Sequence, residues 1–534
     1  MSAGYDVNTG LIVHFTDQNN QTTYYGYDYA RRPTSFTYPD GGQRSVTYTD
    51  STPNPSLTAS TLISSGIGSL TKQLTFDGLG RAIQDALTSD PDSPDRIDKT
   101  DTAYDAVGNV YTVSNPYRSG ETKYVTAYRY DGLKRKVLEI PADGSASSDN
   151  VLTTYNSNQV TVQDEAGKSR KMQYDALGRL TYVWESGITY RTDYQYDALS
   201  NLTQVQQEGG TGDQNQWRTR NFIYDPLSRL TQSDNPESGN RYFKYVRTDG
   251  ANCSPQTASV CQRTDAIGNV TTYTFDALAR SYQTSYSVQS PTVSTPSVTN
   301  YYDQTSYNGL TITYGTGRRT GMADNSGSGV TAWSYDQIGR TAQERKTIAG
   351  VTLPISYQYN LDGSLNQLTY PDAMVEMYNY STAGRELSVV DSSGSHNYGK
   401  NATYSAAGGL VSLLMANSAG YAGTTLTQSY NKRLQLGVTS AATPTQTIFS
   451  LTNDFQLGSA DNGNVWNITN NLDSTRSQAF TYDSLNRLLT AGTASTWGDS
   501  YVYDPWGNLY QMNVTRGSGQ NLQQTIDTNN RVVG

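Results

Sequence analysis

The stretch YDALGRLTYVWESGITYRTDYQYDALSNLTQV, Tyr174 to Val205, decides the fold class. Leu180, Tyr182 and Trp184 share one face, with Thr181 and Val183 on the other. The run breaks at Glu185-Ser186-Gly187, and Tyr190, Thr192, Tyr194 and Tyr196 then alternate with Arg191, Asp193 and Gln195. Period two with aromatic and β-branched residues predicts antiparallel strands with one better-buried face. YDAL returns 22 residues after its first occurrence, at Tyr196-Asp197. Each interval is therefore read as one β-hairpin with a turn at either end.

Working outward, the same pattern fills the chain. Tyr27, Phe76, Tyr104, Tyr130, Tyr174, Tyr196, Tyr224, Phe275, Tyr335, Tyr359, Tyr380, Tyr404, Tyr430, Tyr482 and Tyr503 mark 15 copies, nine of whose gaps are 21 to 28 residues. The five longer gaps halve to 22 to 30, with degenerate copies expected at Tyr48, Tyr155, Tyr245, Tyr302 and Phe455. This predicts an all-β chain of about 20 tandem hairpins in one continuous array over residues 1–534. Of 534 residues, 35% are hydrophobic and 16% charged, and Tyr supplies 43 aromatics, which suits wide sheets with modest cores.

Comparing copies separates chemistry from architecture. The residue after the aromatic is Asp in 11 of 15 copies and otherwise Asn360, Ser381, Ser405 or Asn431. These types share a short oxygen-bearing side chain that bonds a backbone N–H two residues on, and they do not share acidity. The expectation is a turn residue whose charge is dispensable, so that Asp175→Asn is nearly silent. Three residues on, Gly stands in eight copies, including Gly80, Gly178, Gly339 and Gly507, as a positive φ requires. The next slot is Arg in nine copies, among them Arg179, Arg229, Arg340 and Arg487. That Arg is expected to stack on a motif Tyr or to pair with the motif Asp of the neighbouring hairpin.

Copies such as FDGLGRA, YDALGRLTYV, YDPLSRLTQ, YDSLNRLL and YDPWGNLYQ resemble the YD repeats of the Rhs family, found in bacterial polymorphic toxins, the Tc toxin B and C components and the teneurins. The repeat residues carrying the resemblance include Tyr174, Asp175, Gly178, Arg179, Tyr196, Asp197, Tyr224, Asp225, Tyr335, Asp336, Gly339, Arg340, Tyr482, Asp483, Tyr503, Asp504 and Gly507. The resemblance implies a hairpin ribbon wound into a hollow, non-catalytic shell around a C-terminal toxin or other cargo, with secretion components as further partners. Two departures stand out. Asp504-Pro505-Trp506-Gly507-Asn508-Leu509 approaches the family's cleavage-site motif but reads as another repeat turn. The sequence closes on IDTNNRVVG in mid-unit, which suggests a fragment or a repeat-only member with an open sheet edge and fast amide exchange from about Tyr503 onward.

Other chemistry finds little support. A net charge of −9 with no basic patch weighs against nucleic acid. No apolar run approaches a membrane span, no signal peptide is visible, and no cofactor or metal motif is found. His14 lies in an apolar alternation and His396 in a polar turn, neither with an evident catalytic partner. GTGRRTG, Gly315 to Gly321, reads as a loop, and DPDSPDRIDKTD, Asp90 to Asp101, as a solvated linker. The six Trp are read as sheet-packing residues. Cys253 and Cys261 are either a disulfide, closing a loop worth roughly 2.5 kcal/mol and suiting a secreted or cell-surface protein, or free thiols suiting cytosolic assembly before export. The runner-up function is an exported adhesion or carbohydrate-binding surface, and a hydrolase is a distant third.

Overall fold

The computed structural model describes residues 1–185, 190–246, 250, 253–256, 258–289 and 294–533. Among them are β-strands and two 3-10 turns, at Gln214–Gln216 and Ser474–Arg476. One antiparallel sheet of 43 strands, not closed into a barrel, carries nearly all of the chain. The expected hairpin ribbon is therefore observed. The turn expected at Ser186-Gly187 lies outside the described residues.

The motif aromatic is a fixed point of the register. Gln195 faces Gln204, but Tyr196 faces Leu202, so one residue slips at the aromatic. The same slip occurs at Tyr174, Tyr224, Phe275, Tyr335, Tyr482 and Tyr503. Each YD turn thus opens with a bulge, which ends pairing and launches the loop. Because strands alternate direction, YD turns fall on one edge of the ribbon and the intervening turns on the other.

Burial departs from expectation. Val183, on the face opposite Tyr182 and Trp184, is the buried residue of its strand, and all six residues of Leu202–Gln207 are half-buried. The sheet therefore lacks one dominant apolar face. Long Tyr, Gln and Arg side chains lying along both faces supply the cover, and fully enclosed apolar groups such as Ile63 and Ala332 are few.

The contacts group into two compact units: residues 1–126, 296–430 and 439–449, and residues 127–295, 431–438 and 450–534. Inside each unit the ribbon meets itself. In the first, Arg340 binds Asp40, 300 positions earlier, and Leu361 N–H donates to the Ile63 carbonyl at 2.8 Å. In the second, Trp506 Nε1 donates to the Gln207 carbonyl, 299 positions earlier. In these contacts a YD-turn edge of the later stretch docks on the opposite edge of the earlier one.

The C-terminal region is better paired than the sequence suggests. Gly498–Tyr503 pairs with Leu509–Arg516, Leu522 and Gln523 add to the latter, and the final hairpin is tied to Glu237 through Asn530 and Arg531. Hydrogen exchange should therefore be as slow at Tyr501–Val514 as at Tyr194–Val205, with fast exchange beginning near Arg516. Fast exchange throughout 503–514 would show that this pairing does not persist in solution.

Candidate functional site: a tyrosine ladder and two buried ion clusters

The turn after Tyr174 shows how each unit is built. Asp175 N–H donates to the Arg179 carbonyl (2.9 Å) and Gly178 N–H to the Asp175 carbonyl (3.0 Å). Asp175 Oδ1 accepts from the backbone N–H groups of Leu177 and Arg179, both at 2.9 Å, and Oδ2 from Arg179 Nε at 2.7 Å. The Arg179 N–H, followed by its guanidinium and the Leu177 N–H, holds the Asp175 carboxyl below its ordinary range against partial burial. The fourth turn position is left-handed in every copy, whether Gly178 (φ 77°), Gly339 (φ 93°) and Gly507 (φ 97°) or Ser200 (φ 67°), Ser228 (φ 58°) and Asn486 (φ 63°). Gly adopts this without the roughly 1–2 kcal/mol that a Cβ costs.

The Arg then reaches the next turn. Arg179 lies 4.9 Å from the ring centre of Tyr196 and donates through Nη1 to the Asp197 carbonyl (3.1 Å), while Tyr196 OH donates to the Leu180 carbonyl (2.9 Å). Arg340 repeats this with Tyr359 and Asn360, and Arg487 with Tyr503 and Asp504. Degenerate copies also keep the tyrosine contact, as in Arg32 on Tyr48, Arg135 on Tyr155 and Arg229 on Tyr245. Longer loops follow Tyr302 and Phe455. The stacking expectation describes this geometry. The ion pair differs from expectation: Arg pairs with the Asp of its own turn, as at Asp225–Arg229, Asp336–Arg340 and Asp483–Arg487. Charge is thus used after all. Where the first residue is Asn360 or Asn431, the fifth is Ser364 or Gln435, which can pair with an amide.

The acidic segment is the clearest correction. Asp90 and Asp98 are buried, at 0% and 4% exposure. Arg118 donates to Asp98 (2.9 Å) and Asp90 (2.7 Å), and Arg385, from a later YD turn, binds the same pair at 2.9 and 2.8 Å. Partners distant in sequence turn a predicted linker into an ion cluster. Burial, with the adjacent Asp90, pushes the Asp98 carboxyl up to about 6, whereas Asp90, opposed by burial, is held low by Asp98, the Asp92 N–H and Arg118.

The second unit has its own cluster. Arg433 binds Asp143, Asp149 (3.0 Å) and Glu165 (2.8 Å) and lies 3.6 Å from buried Asp461. Asp461 N–H donates to Asp149 Oδ1. Burial raises the Asp149 carboxyl; burial also opposes ionisation of Asp143, but Arg433 and the Gly458 N–H hold it low. Arg433 is not in the recurrent Arg slot. It occupies the third turn position, where most copies carry an apolar residue, and that displacement was the sequence signal available. In the same position, Trp506 lies over Gly209, where a Cβ would come within 2.6 Å of the ring, and Arg218 stacks on it at 4.0 Å. Asp504-Pro505-Trp506-Gly507-Asn508 is accordingly a repeat turn that also docks.

The remaining candidates are placed as follows. His396 Nδ1 meets both Asp391 Oδ2 (3.2 Å) and Ser395 Oγ (3.3 Å) in an exposed turn. A proton relay needs its two partners on different ring nitrogens, so this is not a Ser-His-Asp site. His14 packs beside Tyr24 and Gly4. Thr316, within GTGRRTG, exchanges hydrogen bonds with Asn19. Cys253 and Cys261 form a disulfide with Cα atoms 5.5 Å apart. Among the described residues, no group of three or more His, Cys, Asp or Glu is arranged to hold a metal ion, and no helix is long and apolar enough to cross a membrane.

No family model and no curated protein matches the sequence. Solved structures do. The crystal structure of TcdB2-TccC3 matches with a TM-score of 0.74 and 15% identity, over 100% of this chain and 33% of that one. The form without the hypervariable C-terminal region gives 0.77 and 14%, and the Photorhabdus luminescens Tc holotoxin pore 0.75 and 14%, each over 100% of this chain and 35% of the other. The chain shares the fold of these Tc toxin components and spans about a third of the length of the chains it matches.

Two sets of outcomes are expected, the first concerning the turn. Tyr196→Phe should lose about 0.5–1.5 kcal/mol, the net worth of one hydrogen bond. Asp175→Asn should also lower the urea midpoint, with Asp175→Ala lowering it further; a silent Asp175→Asn would restore the charge-independent reading. The second concerns pH. A carboxyl raised from about 3.9 to about 6 on folding stabilises fully at low pH and loses that contribution as pH rises through 6. The parent should therefore unfold at higher urea at pH 5 than at pH 7, and Asp98→Asn should flatten that slope. An unchanged slope would mean that Asp98 is ionised throughout.

Proposed function

We propose that residues 1–534 form a non-catalytic ribbon that encloses or presents a toxin or other polypeptide cargo. The observation that carries this is the fold match to TcdB2-TccC3 over the whole chain. The repeat chemistry supports it. In many units the motif Arg, oriented by the Asp of its own turn, and the motif Tyr join one turn to the next, which is what a load-carrying wall requires and a catalytic surface does not. The Cys253–Cys261 disulfide supports a secreted or cell-surface location rather than the cytosolic assembly that free thiols would suit. Partners on this reading are the chain's own cargo and the other components of a toxin complex.

The test is protease protection. Co-expressed with the polypeptide encoded directly downstream, the ribbon should copurify with it and shield it from trypsin until the ribbon itself unfolds. Equal cleavage with and without the ribbon overturns enclosure. Specific binding on a glycan array would instead favour the adhesion reading. Hydrolysis of esters, peptides or glycosides that His14→Ala or His396→Ala abolishes would favour an enzyme.

A further inference from the structure

The strand residue that follows each YD turn sits opposite the motif aromatic, as Leu180 does opposite Tyr174 and Leu202 opposite Tyr196. It is Leu in eight of the 15 copies, among them Leu230, Leu365, Leu410 and Leu488. Two copies carry a charge there. Lys136 is paired with Glu139. Glu386, opposite Tyr380, has no hydrogen bond or ion pair to its carboxylate among the described residues.

The rings beside Glu386 are less engaged than those elsewhere in the ladder. The turn before Tyr380 ends on Ser364, so no arginine of that turn stacks on the ring, and Tyr380 OH has no hydrogen-bond partner among the described residues. Arg385 is drawn into the Asp90–Asp98 cluster and lies 5.8 Å from the Tyr404 ring centre, against 4.9 Å for Arg179 on Tyr196 and 4.7 Å for Arg487 on Tyr503. Tyr404 OH donates to the Glu386 carbonyl, which keeps that ring next to it. Lys400, on the next strand, donates to Asn417 Oδ1 at 2.7 Å. Burial raises the Glu386 carboxyl, although the residue keeps an opening to solvent.

Alongside lies a recess of about 410 Å³, whose lining includes Glu386, Tyr404, Val389 and Leu413. The small residues Gly399 and Ala402, both buried, leave room for it, and a Cβ at Gly399 would come within 3.2 Å of Leu413. Leucine is the residue this slot takes in most of the chain. An unpaired carboxylate in its place, beside aromatic rings and an apolar recess, breaks the local rule, and such breaks concentrate at functional positions.

We propose that Glu386, with Tyr380 and Tyr404, binds a primary alkylammonium group. The charge meets the carboxylate and the ring faces, and the apolar stem enters the recess. The Tyr380 hydroxyl supplies a further acceptor for an ammonium N–H. A lysine side chain of a polypeptide and a free amine offer the same chemistry. The site goes beyond cargo enclosure and does not depend on it.

Saturation-transfer NMR of the purified full chain tests it, with pentylammonium, Nα-acetyl-lysine amide and neutral pentanol as probes. The parent should bind the two ammonium probes and not pentanol. Glu386→Gln should weaken both by at least about tenfold, the worth of one hydrogen bond to a charged group. Glu386→Leu should abolish binding and raise the urea midpoint, because it restores the residue found at this position in most copies. Binding of the blocked lysine alone supports the site with a polypeptide ligand, and binding of pentylammonium alone supports it with a free amine. The proposal is overturned by equal binding of pentanol, by ammonium binding that Glu386→Gln leaves intact, or by no transfer to either ammonium probe.

Discussion

In many units the tyrosine hydroxyl reaches back across one hairpin to a backbone carbonyl, and the spacing of adjacent turns depends on that bond. Tyr196 OH to the Leu180 carbonyl, Tyr359 OH to the Thr341 carbonyl and Tyr245 OH to the Leu230 carbonyl hold adjacent turns at a fixed distance. The ring between them gives the arginine of the earlier turn a surface to lie on. That arginine is in turn oriented by its own aspartate. The aspartate is fixed by two backbone N–H groups. A single linked set thus sets loop conformation, turn spacing and edge position, although no one of its members is deeply buried. A sheet with few enclosed apolar residues needs such a device, because hydrophobic burial alone does not specify which strand lies beside which.

The seams inside each unit use a different chemistry. Charged pairs at turn edges are usually weak because water competes for both partners. At the Asp90–Asp98–Arg118–Arg385 and Arg433 clusters the ribbon excludes that water, and each guanidinium serves two or more carboxylates. Such clusters contribute less net stability than their geometry suggests, since desolvation is costly. What they contribute is register. Arg385 fits one position on the facing edge, the pair Asp90 and Asp98, and a slip of one hairpin would leave buried charges without partners.

How much of this was legible in the sequence varied with the length scale. Hairpins, turns and the positive φ at Gly178 and Gly507 followed from local pattern, because period two, Asx bonding and left-handed backbone are properties of a few adjacent residues. The arginine stack was anticipated, but its ion-pair partner was misplaced by one turn. Repeat spacing alone does not say whether Arg179 turns back to Asp175 or forward to Asp197. The acidic segment was misread for a deeper reason: Asp90 and Asp98 look solvated until Arg385, nearly 300 positions later, is brought against them. Arg433 and Trp506 show the same limit.

The sequence by itself determined the repeat, its turn chemistry and an all-β ribbon, since each of these is settled by interactions within one or two hairpins. Only the tertiary structure decided which edges meet and which carboxylates are buried. Those outcomes depend on the summed twist of many strands, a quantity that no single repeat encodes and that brings together residues with no local signal of one another.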